Sequence, residues 1–314
     1  MPHQTNSSAD SHPSPASLAS SKGALYHMIA AMAIFGSVGF AAGRTGLQSF
    51  ELVFVRCICA VPILGTGWLL SGQFRREAWP VREVLLVLLS GLCLVGNWVF
   101  LFRAFEAMPV TVAVSVYYLA PVFVLLLGSL LFRERLKVSS AVSVAVCAAG
   151  TALVSGIGSG APGEVLSGGL LWALLAALLY ALVTLLGKGI RRMSPYALAM
   201  LQTAVGVLLL PPLVHFAAFG GLGSSQSLWI ALIGAVHTGL VYYLFFGSLR
   251  HLPARTISLL AFLDPGIAML LDMLITGFRP GLLQIVGIVL LFGGMTVPLW
   301  DRKDRAAQPS ALTE

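Results

Sequence analysis

The chain has 314 residues, of which 58% are hydrophobic and only 10% charged, and its mean hydropathy is +0.91. Soluble globular proteins carry about 25% charged residues, so this mixture excludes an ordinary soluble enzyme and points to burial in a bilayer. The formal charge of +7 raises nucleic acid as a partner, but the basic residues cluster in the short connections between apolar runs, where they set orientation and, at most, attract anionic lipid.

Residues 1–22 are rich in Ser, Pro and His and lack the basic start, short apolar core and cleavage site of a secretory signal. They are expected to form a disordered cytoplasmic N-terminal tail. Apolar runs then predict ten spans at 23–43, 50–71, 84–105, 109–131, 138–157, 167–187, 196–218, 227–248, 254–276 and 280–299. Only helices satisfy their own backbone in hydrocarbon, and the runs do not alternate as barrel strands do, so the fold class is an all-α integral membrane protein. Residues 158–166 form an expected external linker containing Gly, Pro, Ser and Glu164, and 300–314 an expected cytoplasmic C-terminal tail. Cys57, Cys59, Cys93 and Cys147 lie in apolar runs without metal-site spacing and read as buried thiols.

An internal N-terminus puts Lys22, Arg75, Arg76, Arg82, Arg133, Arg135, Lys137, Lys188, Arg191 and Arg192 inside, with Arg250, Arg255, Arg302, Lys303 and Arg305. Arg44 and Arg279 fall outside, and Arg56 and Arg103 within spans. The excess predicts that both termini are cytoplasmic.

Span 4 carries Pro109 and Pro121, and span 9 carries Pro253 and Pro265 at the same offset, four repeat positions expected to break their helices. Gly23, Tyr26 and Ala30-Ala31 match Gly169, Trp172 and Ala176-Ala177 at an offset two residues longer, which sets Arg56 opposite Gln202. The pattern predicts two homologous five-helix repeats, 23–157 and 167–299. Five is odd, so the second repeat enters the bilayer inverted, an architecture of secondary transporters that alternate access to one central site. A lipid scramblase or a membrane signalling protein is the alternative class. No catalytic order, P-loop or His/Cys/Asp cluster is present, so neither an enzyme, nor ATP-driven transport, nor a metal or other cofactor is expected.

The segment Phe102–Leu136, FRAFEAMPVTVAVSVYYLAPVFVLLLGSLLFRERL, with its proline-containing span and Glu134-Arg135 ending, resembles the EamA-type branch of the drug/metabolite transporter superfamily. The second copy, Tyr243–Pro280, is similar but carries Phe278-Arg279 where a Glu-containing ending is expected. The resemblance spans residues 22–299. It implies a ten-helix carrier of a small metabolite, such as an amino acid or related compound, in a bacterial inner or plasma membrane, commonly an exporter, with uptake as the alternative direction. Monomer and homodimer stay open.

Polar groups in hydrocarbon are costly, so they nominate the route. Arg56 offers a planar guanidinium to a substrate carboxylate; an internal ion pair with Glu51 or Glu106, or snorkelling to the headgroups, is the structural alternative. Arg103 and Glu106 are spaced to pair at the outer end of span 3, as a gate or an interfacial salt bridge, while Glu134 and Arg135 occupy the inner end of span 4. Asn97-Trp98, Tyr117-Tyr118 and Tyr242-Tyr243 offer aromatic walls with hydrogen-bonding tips, and a 100° helical step lets one member of each pair face the cavity squarely. Asp264, immediately before Pro265, is a candidate for proton coupling, cation recognition or a hydrated structural role, and Asp272 is expected to border the same aqueous surface. His237 reads as a local packing or hydrogen-bonding element, and Gly36, Gly39, Ala41, Ala42 and Gly43 as a close helix contact.

Overall fold

The structure, a computed structural model, describes residues 15–132, 138–154, 168–249, 252, 260 and 263–306. Glu134, Arg135 and Pro253, and the linker 158–166, lie outside the described residues. The regular elements of the described chain are helices: α1 Pro15–Gly36, α2 Val38–Gly43, α3 Ser49–Leu70, α4 Val81–Ala107, α5 Val110–Tyr117, α6 Ala120–Phe132 and α7 Val138–Val154 in the first part. They continue as α8 Gly169–Gly187, α9 Pro195–Leu209, α10 Ser224–Gly234, α11 Val241–Leu249, α12 Leu263–Leu271 and α13 Leu282–Ala306. Among the described residues six helical stretches, three of them joining consecutive helices, are long and apolar enough to cross a membrane: Lys22–Gly43, Ser49–Leu70, Val81–Ala107, Val110–Gly128, Gly169–Gly187 and Ser224–Phe245. Leucines such as Leu70, Leu130, Leu208, Leu274 and Leu282 stand exposed on the outer faces, the pattern of helices solvated by lipid.

Several expected elements are interrupted. The first span is two helices: at Ser37 the backbone N–H is shared between the Ala33 and Ile34 carbonyls, and Ser37 Oγ donates to Ile34 O at 2.9 Å. Such back-bonding competes with the helical ladder and bends it. The fourth span breaks at Tyr118-Leu119, because Pro121 has no N–H for the Tyr117 carbonyl and its ring crowds that turn. The seventh span ends early, at Leu209, since Pro211 and Pro212 supply no donors; 3₁₀ turns at Pro211–Leu213 and Phe216–Phe219 follow. The eighth and ninth spans contain π-helical turns at Ala235–Leu240 and Asp272–Thr276, and the latter stops at Gly277, whose φ of +74° suits a residue without a side chain. Pro15 opens α1 from a position where its missing N–H costs nothing, and α13 runs to Ala306.

The helices pack in reciprocal pairs: α4 on α8 and α1 on α11, α5 and α6 on α8 and α12 on α1, α3 on α9, and α7 on α13. At the α7–α13 crossing, Gly150 and Gly287 face each other so closely that a β-carbon on either would strike the other's carbonyl oxygen. Without a hydrophobic force between helices in lipid, such close backbone approach supplies the attraction. Carboxylates staple the helix ends. Glu77 accepts from Ser194 N at 2.7 Å, from the Ser194 hydroxyl, and from Trp68 Nε1 at 2.9 Å; buried Glu83 accepts from Arg191 N and Arg192 N at 3.1 and 3.0 Å. At the opposite end Glu51 accepts from His215 N at 2.9 Å, and Glu106 from Ser49 N at 2.7 Å.

Candidate functional site

Arg56 lies near the middle of the bundle, because seven residues of α3 carry it inward from the helix start at Ser49. It is 4% exposed. Its guanidinium carbon sits 4.4 Å from the Trp98 ring centroid and 5.5 Å from that of Phe102, both from α4. The ion pairs set out as alternatives do not form. Glu51 is turned to His215, with its Oε1 3.4 Å from the ring, and Glu106 is divided between Ser49 N and Arg103, at 3.9 Å. Arg56 Nε is buried without a hydrogen-bond partner among the described residues. A buried cation held by aromatic faces rather than a carboxylate keeps its affinity for an anion.

Asn97 is fully buried beside this stack. Its Nδ2 donates to Ala176 O on α8 at 2.7 Å and lies 3.4 Å from the Tyr117 hydroxyl, while Oδ1 has no partner among the described residues. The Ala176 carbonyl fixes this orientation, since a flipped amide would set two acceptors against each other. Tyr117 meets Tyr118 and Tyr180 edge-on at 6.1 and 5.7 Å. Tyr118 donates to Asp264 Oδ2 at 3.0 Å. Tyr117 interacts electrostatically with both Arg56 and Asp264, so the cluster runs from a guanidinium to a carboxyl group. Tyr242 closes the Arg56 side, edge-on to Phe35 at 6.3 Å.

The helix is interrupted at Tyr118, and the rings of Tyr117 and Tyr118 belong to one aromatic cluster. Asn97 and Trp98 are both internal too, but they face different neighbours, α8 and α3. Of the third pair, Tyr242 is partly buried and Tyr243 is 66% exposed. Asp272 does not share the surface of Asp264. Eight residues separate them by about 12 Å along a helix, and Asp272 accepts from Thr111 N at 2.9 Å and Thr276 Oγ1 at 2.7 Å. Arg103 and Glu106 do pair, half in solvent. Pro109 is the N-cap of α5, and Pro265, at the third position of α12, is buried there.

A cavity of about 900 Å³ opens beside Arg44, Glu106 and Asp272, with Leu52 and Phe102 in its wall. Phe102 lines the cavity and also lies beneath the Arg56 guanidinium. Tyr180, Ser37 and the Asp272–Thr111 link were not among the residues nominated from the sequence. A lone tyrosine in an Ala/Leu helix was the available signal for Tyr180; the other contacts join residues far apart in the chain. Among the described residues no group of His, Cys, Asp and Glu could hold a metal ion, and all four cysteines are free.

These features define a multi-span, all-α membrane protein with a polar, aromatic-lined interior. The EamA-like transporter family profile matches residues 22–156 and again 167–299, and the chain belongs to that family. It is therefore a transporter of small molecules across a membrane, not an enzyme. It is 53% identical over 286 residues to the uncharacterized transporter YxxF of Bacillus subtilis, covering 90% of this chain and 91% of that one. It is also 24% identical to an uncharacterized transporter of Archaeoglobus fulgidus, over 84% of this chain and 92% of the relative. A crystal structure with 21% identity superposes with a TM-score of 0.60 over 91% of this chain and 99% of its own, a likeness of fold.

Proposed function

We propose that the chain is a secondary carrier that moves a small carboxylate-bearing metabolite, an amino acid or a related compound, across a bacterial inner or plasma membrane by alternating access. Buried Arg56, stacked on Trp98 and without a carboxylate partner among the described residues, carries this reading. The substrate's carboxylate binds the guanidinium, Asn97 Oδ1 and the Tyr118–Asp264 pair meet its donor groups, and Tyr117, Tyr180 and Tyr242 enclose its apolar part.

The carrier comprises ten spans in two inverted halves, 23–157 and 167–299, with both termini cytoplasmic. The double family match and the reciprocal helix pairs support that division. Its outer end opens at Arg103 and Glu106, and its inner end closes near Glu134 and Arg135. Export is the direction implied by the family resemblance, driven by an outward metabolite gradient.

Purified protein in sealed vesicles is expected to support saturable counterflow of a labelled amino acid or small carboxylate. Arg56→Gln is expected to abolish it without loss of folded protein. Correctly folded protein with no flux across a broad metabolite panel, or with lipid scrambling instead, overturns the reading.

A further inference from the structure

His237 lies next to this site but takes no part in the contacts described for it. The side chain is 7% exposed and belongs to the π-helical turn Ala235–Leu240. Its Nε2 is 2.9 Å from Ser37 Oγ, and its Nδ1 is 3.4 Å from Leu232 O. Ser37 Oγ is in turn 2.9 Å from Ile34 O.

These three contacts can be tested by counting hydrogens. Carbonyls only accept, and Ser37 has one hydroxyl hydrogen. With the ring proton on Nδ1, the imidazole donates to Leu232 O, so Ser37 must donate to Nε2 and leaves Ile34 O. With the ring proton on Nε2, Ser37 keeps Ile34 O, but a bare Nδ1 faces the Leu232 carbonyl, acceptor against acceptor. Only the ring protonated on both nitrogens makes all three contacts together.

The place of this triad matters. Ser37 is the break in span 1, and the π-turn is the irregular turn of span 8, so the imidazole bridges two interrupted helices; π-turns recur at functional sites. Among the described residues the charged group facing His237 is Arg56 of α3, a like charge that repels an imidazolium unless a counter-charge lies beside them. Cys59 of α3 lies against Gly234 at the start of the turn, and Tyr242 follows on α11. A carboxylate brought to Arg56 would be the common counter-charge for the guanidinium and an imidazolium.

We propose that His237 is the proton site of this carrier, protonated when a substrate carboxylate occupies Arg56 and thereby latching the break of span 1 to the π-turn of span 8. The proposal rests on the reading of Arg56 given above. The proton comes from water on the loading side and returns to water on the other, one for each carboxylate, so carboxylate and proton cross together. By linkage, each strengthens the binding of the other by the same factor.

The test uses the full chain, purified and then reconstituted, with acetate, L-leucine and L-phenylalanine as probes. Probe binding to wild type is expected to weaken about tenfold between about pH 6 and about pH 8, within the usual size of such couplings. Nitrogen-15 spectra of histidine-labelled protein, with the His237 signal assigned by its loss in His237→Gln, are expected to show N–H on both ring nitrogens in the probe-bound state. His237→Gln should bind without this pH dependence and move no protons with probe. Ser37→Ala, which removes the bridge but not the titrating group, should reduce the dependence, and Ser37→Thr should restore it. Thermal melts confirm that each variant is folded.

A bound state with a neutral His237 ring overturns the proposal while leaving the Arg56 reading intact. So does proton movement that survives His237→Gln and disappears in Asp264→Asn. If no probe binds wild type, or Arg56→Gln binds probe as wild type does, both the proposal and the Arg56 reading fall.

Discussion

A guanidinium that is almost wholly buried and has no carboxylate beside it among the described residues determines what its neighbours must do. Trp98 and Phe102 partly replace hydration, and such a cation–π contact is worth about 2 kcal/mol when desolvated. Trp98→Leu therefore removes packing and leaves the cation less shielded in the empty protein. We expect stability to fall by about 3 kcal/mol, read as a lower thermal midpoint, and carboxylate ligands to recover more of that loss than they add to wild type. Trp98→Phe keeps an aromatic face and should stay close to wild type. The rescue reports the electrostatic role, because a merely cavity-forming change would lower both curves equally. Arg56→Lys keeps the charge but loses the planar fork; probe affinity should drop about tenfold, whereas Arg56→Gln should remove it.

At the scale of elements, interruptions rather than regular helices shape the site. The break in span 4 gathers Tyr117 and Tyr118 into one cluster, and the break in span 1 follows Gly36, which passes so close to α12 that a β-carbon would overlap the Asp264 carbonyl oxygen and the Ile267 side chain. Gly36→Ala should push α1 and α12 apart and cost about 2 kcal/mol. It should also disturb the Tyr118–Asp264 contact, so flux should fall more than the fraction of folded protein does. A second element-level prediction concerns Glu83, whose single carboxylate holds two backbone N–H groups of the turn before α9. Glu83→Ala leaves both donors without that partner and should destabilise by about 2 kcal/mol, while Glu83→Gln, which still offers one acceptor oxygen, should lose less. Differential melting of the two variants checks the staple. Pro121 made the span 4 break readable from the sequence, since the missing donor and ring crowding are local properties. The span 1 break has no proline. It depends on Ser37 meeting its own turn and His237, 200 residues away, and neither that contact nor a π-turn leaves a periodic trace.

Apolar run length and charge distribution made the membrane class legible, since both are imposed by the bilayer rather than by contacts between helices. The staples Glu77–Ser194, Glu83–Arg191 and Asp272–Thr111 were illegible for the opposite reason: a carboxylate at a helix end carries no mark of which distant N–H it will receive. The two-half arrangement has its own test at this scale. With inverted halves and cytoplasmic termini, single cysteines introduced at exposed Arg44 and Arg279 should be labelled by a membrane-impermeant maleimide from outside intact cells. Cysteines at Arg75 and Arg192 should react only after permeabilisation, and the reverse pattern would overturn the orientation. That topology then bears on the direction of transport. If carboxylate and proton cross together, the same carrier runs either way: in oriented vesicles an inward proton gradient should drive uptake of a bound probe, and a steep outward probe gradient should reverse it and carry protons out. Export is then the excretion of an accumulated metabolite, powered by its own gradient. His237→Gln should still exchange probe across the vesicle wall but ignore the imposed proton gradient, whereas Arg56→Gln should do neither.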